Sequence, residues 1–578
     1  MRRIFTGLLL NVFCIAITSH TVRAQALLPA SMTAAERNVM QDYRNNIGPA
    51  ANSITTPPAS HVRTMAEWEE IDGIMITWTS YPDILAQIVK YAQTETRVYI
   101  VCSDSNSVKN YLTNAAVPLT NITYVIAPYN SVWARDYGQW NAYTNDVDSL
   151  LMIDWIYNRP RPKDDTVPSA IAQLTGLPLY ATTVAPNDLV HTGGNFMVDG
   201  FGTGFSSKLI ELENSGKSEA QIDTIMSRFM GISRYILMDT LPYDGIHHID
   251  MHIKLLDEET LLVGQFPANT SDGPQLEANL LYVLSNFNSV YGTPYKLYRV
   301  PMPSGPGNTY PPVASYRTYT NSVFINKTIL VPTYYEQYDT TALRVYKEAL
   351  PGYNVVPINV ENMISASGAL HCITKEIGSS DPLLIAHQPL RDTSYTGPFT
   401  VDAYMKHRSG ISLARLYYRT DTTQPYTVVF MTQSAQPDHW TGNIPVQPAG
   451  TRIYYYVSAT SVSGKTQVRP MPAPAAYWSF KITGTAGIAD VYRVHAEDVF
   501  PNPSNGITCI PLKSSEACEA DLDVCDVLGR QVQHIHSGRI PAGESFYFFN
   551  SSSWTNGIYY VTLRSSGNVT TQKVMVQH

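Results

Sequence analysis

Basic charge is in short supply in this 578-residue chain: 40 lysines and arginines stand against 48 aspartates and glutamates, a net charge of −8 with histidine neutral. With no basic patch to neutralise a phosphate backbone, nucleic acid is excluded as a partner. Long apolar runs are missing after residue 17, and nothing later approaches the roughly 18 residues that span a bilayer as a helix, so no transmembrane segment is expected. Cysteine is sparse, with six in all, one of them (Cys14) in the apolar start. The remaining five are odd in number, so at least one thiol has no partner within the chain. No G-x-G-x-x-G turn follows a strand pattern, which argues against a dinucleotide-binding doubly wound sheet. No acidic loop has EF-hand spacing, which argues against calcium.

What is present is ample core material: 44% of residues are hydrophobic and 15% charged. The length calls for several domains. Arg2 and Arg3, the apolar run 4–17 and the small-residue site Val22-Arg23-Ala24 have the pattern of a secretory signal over 1–24. Residues 25–62, including LLPASMTAAERN, read as an N-terminal linker or propeptide. From about 73 to 360 one pattern recurs five times: a β-branched apolar run, an amphipathic stretch, another apolar run, as in GIMITW, PDILAQIVKYA and RVYIVC. Five such units predict a pseudo-symmetric ring. The polar segments between them, NSVWARDYGQW, VHTGGNFMVDGFG, GIHHIDMH, SYRTYTN and SASGALHC, would meet at its axis.

After SSDPLLIAHQPL the helical patterns stop. Over 387–484 strand alternation such as ARLYYRTD and TRIYYYVSAT, broken by Pro, Gly and Asp turns, predicts an immunoglobulin-like β-sandwich. Residues 485–578, with VFPNPSNG, VLGRQV, GIYYVTL and KVMV, predict a further β-domain. Cys509, Cys518 and Cys525 cluster there, where any disulfide is expected. Cys102, in the strand pattern RVYIVC, is expected to be core.

Cys372 is the only cysteine between 103 and 508 and follows a histidine directly. A nucleophilic cysteine needs a proton shuttle and groups that hold its substrate in line. His248 and Asp250, two apart in GIHHIDMH, would share a face on an extended strand. Asp136 in WARDY adds a second carboxylate beside Trp133. Two carboxylates and an aromatic face suit a planar, permanently cationic guanidinium. Its resonance-protected carbon calls for a strong nucleophile such as a thiolate, so the set points to guanidine hydrolysis. Plainer alternatives exist for each residue. Cys372 would serve as a buried small hydrophobe, His247, His248, Asp250 and His252 as zinc ligands of a hydrolase, and Asp136 with Arg135 as a surface ion pair. Arg159 and Arg161 would lie on a solvated proline turn, and HTGGN would be a tight glycine turn supported by Asn195.

VWARDYGQW, HTGGNFMVDG, HHID, YTNS and GALHCITKE, in this order within 63–386, resemble the pentein superfamily of guanidino-modifying enzymes. The closest likeness is to its agmatine deiminase and Porphyromonas-type peptidylarginine deiminase family. The resemblance implies a five-bladed α/β-propeller over 63–386. It also implies Cys372 as nucleophile, His248 as general acid/base, Asp136 and Asp250 as guanidinium clamps, Asn321 as a further catalytic-site residue and Trp133 in the pocket lining. No metal or organic cofactor is implied. Asn158 to Pro162 resembles the peptidylarginine branch, in which Arg159 and Arg161 would contact the carboxylate of a C-terminal arginine. FPNPSNG, GIYYVTL and KVMV resemble the sorting domain of type IX secretion substrates. That implies dealings with this secretion machinery and a place at the cell surface of, or outside, a Gram-negative bacterium. Peptides or proteins carrying arginine, preferentially C-terminal, are therefore the expected partners. Agmatine, hydrolysed to N-carbamoylputrescine, is the runner-up substrate, and a non-catalytic arginine-peptide binding protein is the reading from another class. Gly245, three residues before His248, departs from the peptidylarginine branch, and SASGALHC lacks the glycine triplet of agmatine deiminases.

Overall fold

The computed structural model describes residues 28–48, 52–483, 494–566 and 568–578. The leader predicted for 1–24 lies outside them. Between 62 and 378 one motif repeats five times: a short strand pairs antiparallel with a second, which pairs parallel, across a helical connection, with a third. The sets of three are Trp140–Thr144, Leu150–Tyr157 and Leu179–Thr182; Met197–Val198, Thr203–Ser207 and Arg234–Met238; Ile253–Leu255, Thr260–Gln265 and Lys296–Pro301; and Val323–Ile325, Thr328–Thr333 and Asn354–Asn359. The remaining set is completed from both ends of the region, because Lys375–Gly378 pairs antiparallel with Ile71–Thr77, which runs parallel to Arg97–Cys102. The five sheets stay separate, and none closes on itself.

Local chemistry explains the elements. Parallel neighbours require a crossover, and the helices supply it while covering the sheet faces. Leu150–Tyr157 is accordingly buried at every residue. Helix Glu219–Met230 starts with a capping box between Ser218 and Gln221 and stops at Gly231, whose φ of 68° and contact with the Val62 carbonyl exclude a side chain. Four of the sequence units coincide with parallel pairs; in the third the pattern marks only the helix and strand Arg234–Met238, and not Thr203–Ser207. Among the antiparallel strands, Met197–Val198 falls inside a segment read as a polar connection and the other four begin at or just after the end of one, since two to five residues are too few to show a period.

Residues 28–38, within the stretch read as linker or propeptide, pack against the five-sheet region. Thr33 and Glu36 form the capping box of helix Ala34–Asn46, and Arg44 reaches Glu213. From Leu384, two sheets of four and five strands enclose a core containing Val401, Met405, Leu416, Tyr455, Val457 and Phe480. Lys465 to Glu70 at 2.6 Å and Arg469 to Glu258 at 3.3 Å tie this unit to the first. The last residues form a second two-sheet unit around Ile510, Leu522, Val561 and Leu563. Cys509 stands in one of its sheets and Cys518 and Cys525 in the other, all with free thiols, so the disulfide expected there is absent among the described residues. Cys102 is core, as expected. Among the described residues no helix is long and apolar enough to cross a membrane.

Candidate active site

The polar segments between the sheets converge because glycine lets them approach. A Cβ at Gly193 would strike the Arg135 carbonyl, and one at Gly194 would stand 2.5 Å from His248 Nδ1 and 3.0 Å from Asp136 Oδ1. The HTGGN turn is therefore what brings Asp136 and His248 within 3.5 Å of each other. A Cβ at Gly368 would collide with the Trp133 ring and sit 3.1 Å from the Cβ of Cys372. Asn195 braces the same turn by exchanging hydrogen bonds with the Ser207 main chain.

Cys372 lies in the short 3-10 turn His371–Ile373. Asn321 Nδ2 donates to its sulfur at 3.2 Å, and Asn321 Oδ1 accepts from the main-chain N–H groups of His371 and Cys372 at 3.0 and 3.4 Å. The thiol points to Asp250 Oδ2 at 3.6 Å. Sequence spacing placed His248 and Asp250 on one extended face; residues Ile249–Met251 instead form a 3-10 turn. The two side chains consequently take different partners: His248 stands beside Asp136, and Asp250 faces His371 Nδ1 at 2.7 Å.

Cys372, His248 and Asn321 are 0% exposed, Asp136 1% and Asp250 3%. In this dry setting burial, followed by the negative charge of Asp250, pushes the Asp136 carboxyl up to about 7. Burial, then Asp250 and Asp136, pushes the Cys372 thiol well up, while burial and then Arg159 hold His248 well down. The unliganded centre thus holds a thiol and a neutral imidazole. Both nitrogens of His248 and Oδ1 of Asp250 are buried with no hydrogen-bond partner among the described residues. Such groups are costly to bury unless something else satisfies them, and a forked cation would satisfy the acceptors among them, Asp250 Oδ1 and the unprotonated His248 nitrogen.

Two residues of this centre escaped sequence analysis. The far nitrogen of His371 faces Glu67 Oε1 at 2.6 Å, and Glu67 in turn meets Lys254 at 2.6 Å and Arg135 at 3.6 Å. Despite burial, His371, Lys254 and Arg135 hold the Glu67 carboxyl well below the usual carboxylate range. Arg135, weighed as half of a surface ion pair with Asp136, is fully buried and pairs with Glu376 at 2.8 Å. The position of His371 next to the lone cysteine was the only sequence signal for this chain of charges. Among the described residues no three His, Cys, Asp or Glu side chains converge as metal ligands.

Trp133, Arg159 and Arg161 are also buried and already engaged. Trp133 Nε1 donates to the Leu28 carbonyl at 2.8 Å and Arg159 Nε to that of Ala30 at 2.9 Å. Arg161 meets Glu36 at 2.7 Å and the Pro29 carbonyl at 2.7 Å. The two arginines lie on a turn, as read from the proline between them, but they are not solvated.

Residues 63–377 match the family described as Porphyromonas-type peptidyl-arginine deiminase, and residues 498–577 match the secretion system C-terminal sorting domain. A Shewanella baltica protein named "Putative agmatine deiminase" is 26% identical over 373 residues, 57% of this chain and 98% of that protein. The solved structure of the agmatine deiminase of Enterococcus faecalis is 19% identical and covers 57% of this chain and 100% of its own, with a TM-score of 0.50. That likeness establishes a shared fold for the matched part.

Proposed function

The chain belongs to the Porphyromonas-type peptidyl-arginine deiminase family, guanidino-group deiminases of the pentein fold that hydrolyse C–N bonds, and carries a type IX secretion sorting domain; from this we propose that it is an exported deiminase converting peptidyl-arginine, preferentially C-terminal, to peptidyl-citrulline and ammonia. The observation that carries the proposal is the pair of buried polar atoms without a hydrogen bond among the described residues, Asp250 Oδ1 and His248 Nε2, in the centre where the Cys372 thiol points to Asp250. A guanidinium seated there is clamped by Asp136 and Asp250. Its charge draws the Asp136 carboxyl into the ionised form and lowers the thiol pKa.

Cys372 sulfur then forms a bond to the guanidinium carbon, and its proton passes to neutral His248. His248 returns that proton to the departing nitrogen, the C–N bond breaks and ammonia leaves, with a thiouronium on Cys372. His248 next takes a proton from water, whose oxygen bonds to the same carbon. As the C–S bond breaks, the oxygen gives up its remaining proton to the departing sulfur, restoring the thiol and leaving the ureido product, and His248 releases the proton it took from water to solvent, where the ammonia becomes ammonium. Asn321 supports the sulfur throughout.

Peptide is favoured over agmatine because Arg159, close enough to depress His248 electrostatically, would repel the distal ammonium of agmatine. Export by the sorting domain would also bring the enzyme to peptides at or beyond the cell surface. We assign 63–386 to catalysis as a five-bladed ring, 387–484 to an immunoglobulin-like spacer and 485–578 to sorting. Ammonia and ureido product are to be measured with a peptide ending in arginine, its amide and agmatine, in wild type and Cys372→Ala. Turnover of the free-carboxylate peptide, lost in the mutant, supports the proposal. Preference for agmatine sinks the substrate, and binding without turnover sinks the chemistry. Activity that survives a chelator but not thiol alkylation eliminates the zinc hydrolase.

A further inference from the structure

Four successive main-chain carbonyls of the N-terminal segment are taken up beside the active site. Leu28 accepts from Trp133, Pro29 and Ser31 from Arg161, and Ala30 from Arg159. The Ala30 N–H donates to the Ala366 carbonyl at 2.9 Å, in the 3-10 turn that precedes Gly368 and Cys372. Ala30 is fully buried. Six residues on, Glu36 pairs with Arg161 through both carboxylate oxygens, at 2.7 and 3.3 Å, while Glu36 also closes the capping box of its helix. Arginine forks reading main-chain carbonyls and one carboxylate are the contacts an extended peptide makes with a peptide-binding surface.

We propose that Trp133, Arg159, Arg161 and the Ala366 carbonyl form a groove for an extended peptide with a carboxylate, and that residues 28–36 fill this groove in cis, keeping the centre latent until they leave. This rests on the deiminase reading of Cys372 and its neighbours. Trp133, Arg159 and Arg161 would contact the substrate in the open enzyme, and all three are occupied by the segment. With the segment in place, Cys372 and His248 are 0% exposed. A peptide substrate must therefore displace the segment or wait for its removal, and the segment's own contacts show which substrate atoms the groove reads. An intramolecular occupant competes at high effective concentration, so loosening it shifts the closed and open populations directly.

The test uses the full chain with Glu36→Gln, which keeps a capping-box side chain but drops the charge facing Arg161, and Ala30→Phe, which overfills the buried site. Val39→Ala, on the exposed face of the same helix, is the control. Two rates are read: alkylation of Cys372 by iodoacetamide, assigned by peptide mass spectrometry, and turnover of a peptide ending in arginine. Loss of one charged contact should raise both by about tenfold in Glu36→Gln, more in Ala30→Phe, and not in the control. Selective alkylation of Cys372, with buried Cys102 and Cys509 still protected, marks opening of the groove as distinct from unfolding. Equal Cys372 alkylation in wild type and Glu36→Gln overturns the proposal, as does wild-type turnover as fast as that of both variants. Faster alkylation without turnover of any guanidine upholds the plug and overturns the deiminase reading instead.

Discussion

Asn321 holds Cys372 from two sides: its amide nitrogen donates to the sulfur at 3.2 Å, and its amide oxygen accepts from the cysteine's own N–H at 3.4 Å. One planar side chain thereby sets both the position of the cysteine's turn and the environment of its sulfur. Asn321→Ala should lower kcat by about a hundredfold, because the reacting sulfur loses its fixed placement. Steady-state kinetics with the best peptide substrate checks this, and an unchanged kcat would show that the turn holds without the amide.

The Asp136 carboxyl, buried beside Asp250, ionises at about 7 in place of the usual 3.8. Its folded pKa is raised, so the folded state binds the proton more tightly than the unfolded one, and its contribution to stability declines as pH rises from about 4 to 7. Asp136→Asn should therefore abolish activity and yet stabilise the protein at pH 8, by on the order of 2–4 kcal/mol, with little gain at pH 4. Melting curves of both proteins at the two pH values give the comparison.

The same carboxyl must be ionised to clamp a guanidinium. In the free enzyme kcat/KM should rise with pH through about 7, following Asp136. The bound cation favours the carboxylate, so the acid limb of kcat should lie at lower pH than that of kcat/KM. Coincident limbs would assign the titration to another group.

His371 touches Asp250 with one nitrogen and Glu67 with the other. It acts through Asp250 as a positioning residue. His371→Gln should reduce kcat/KM by about 10- to 100-fold, with KM rising as the clamp loosens, and leave the acid limb set by Asp136 in place. A displaced limb would show that His371 does more than position Asp250.

Much of this centre was legible in the residue order. Periodicity located four of the five parallel strand pairs and the helices between them, because even a helix of about ten residues repeats its apolar face more than once; strand Thr203–Ser207 of the remaining pair was not read. The antiparallel strands, such as Met197–Val198, were invisible at two residues. Cys372, His248, Asp136, Asp250 and Asn321 were identifiable from residue type and order, and they are gathered in one buried centre. His371 and Glu67 were not, since the buried charges that make them neighbours of the site lie more than 300 positions apart.

The sequence by itself determined the chemistry available: a lone thiol, neutral-range histidine, two carboxylates, an aromatic wall and two arginine forks, carried on a repeated strand and helix pattern. Tertiary structure decided the pairings. It set His248 against Asp136 and Asp250 against His371, buried Arg135 with Glu376, and laid residues 28–36 over Trp133, Arg159 and Arg161. The physical reason is range: periodicity reports forces between near neighbours along the chain, whereas pKa, desolvation and occupancy of a groove depend on which distant segments the packed core forces together.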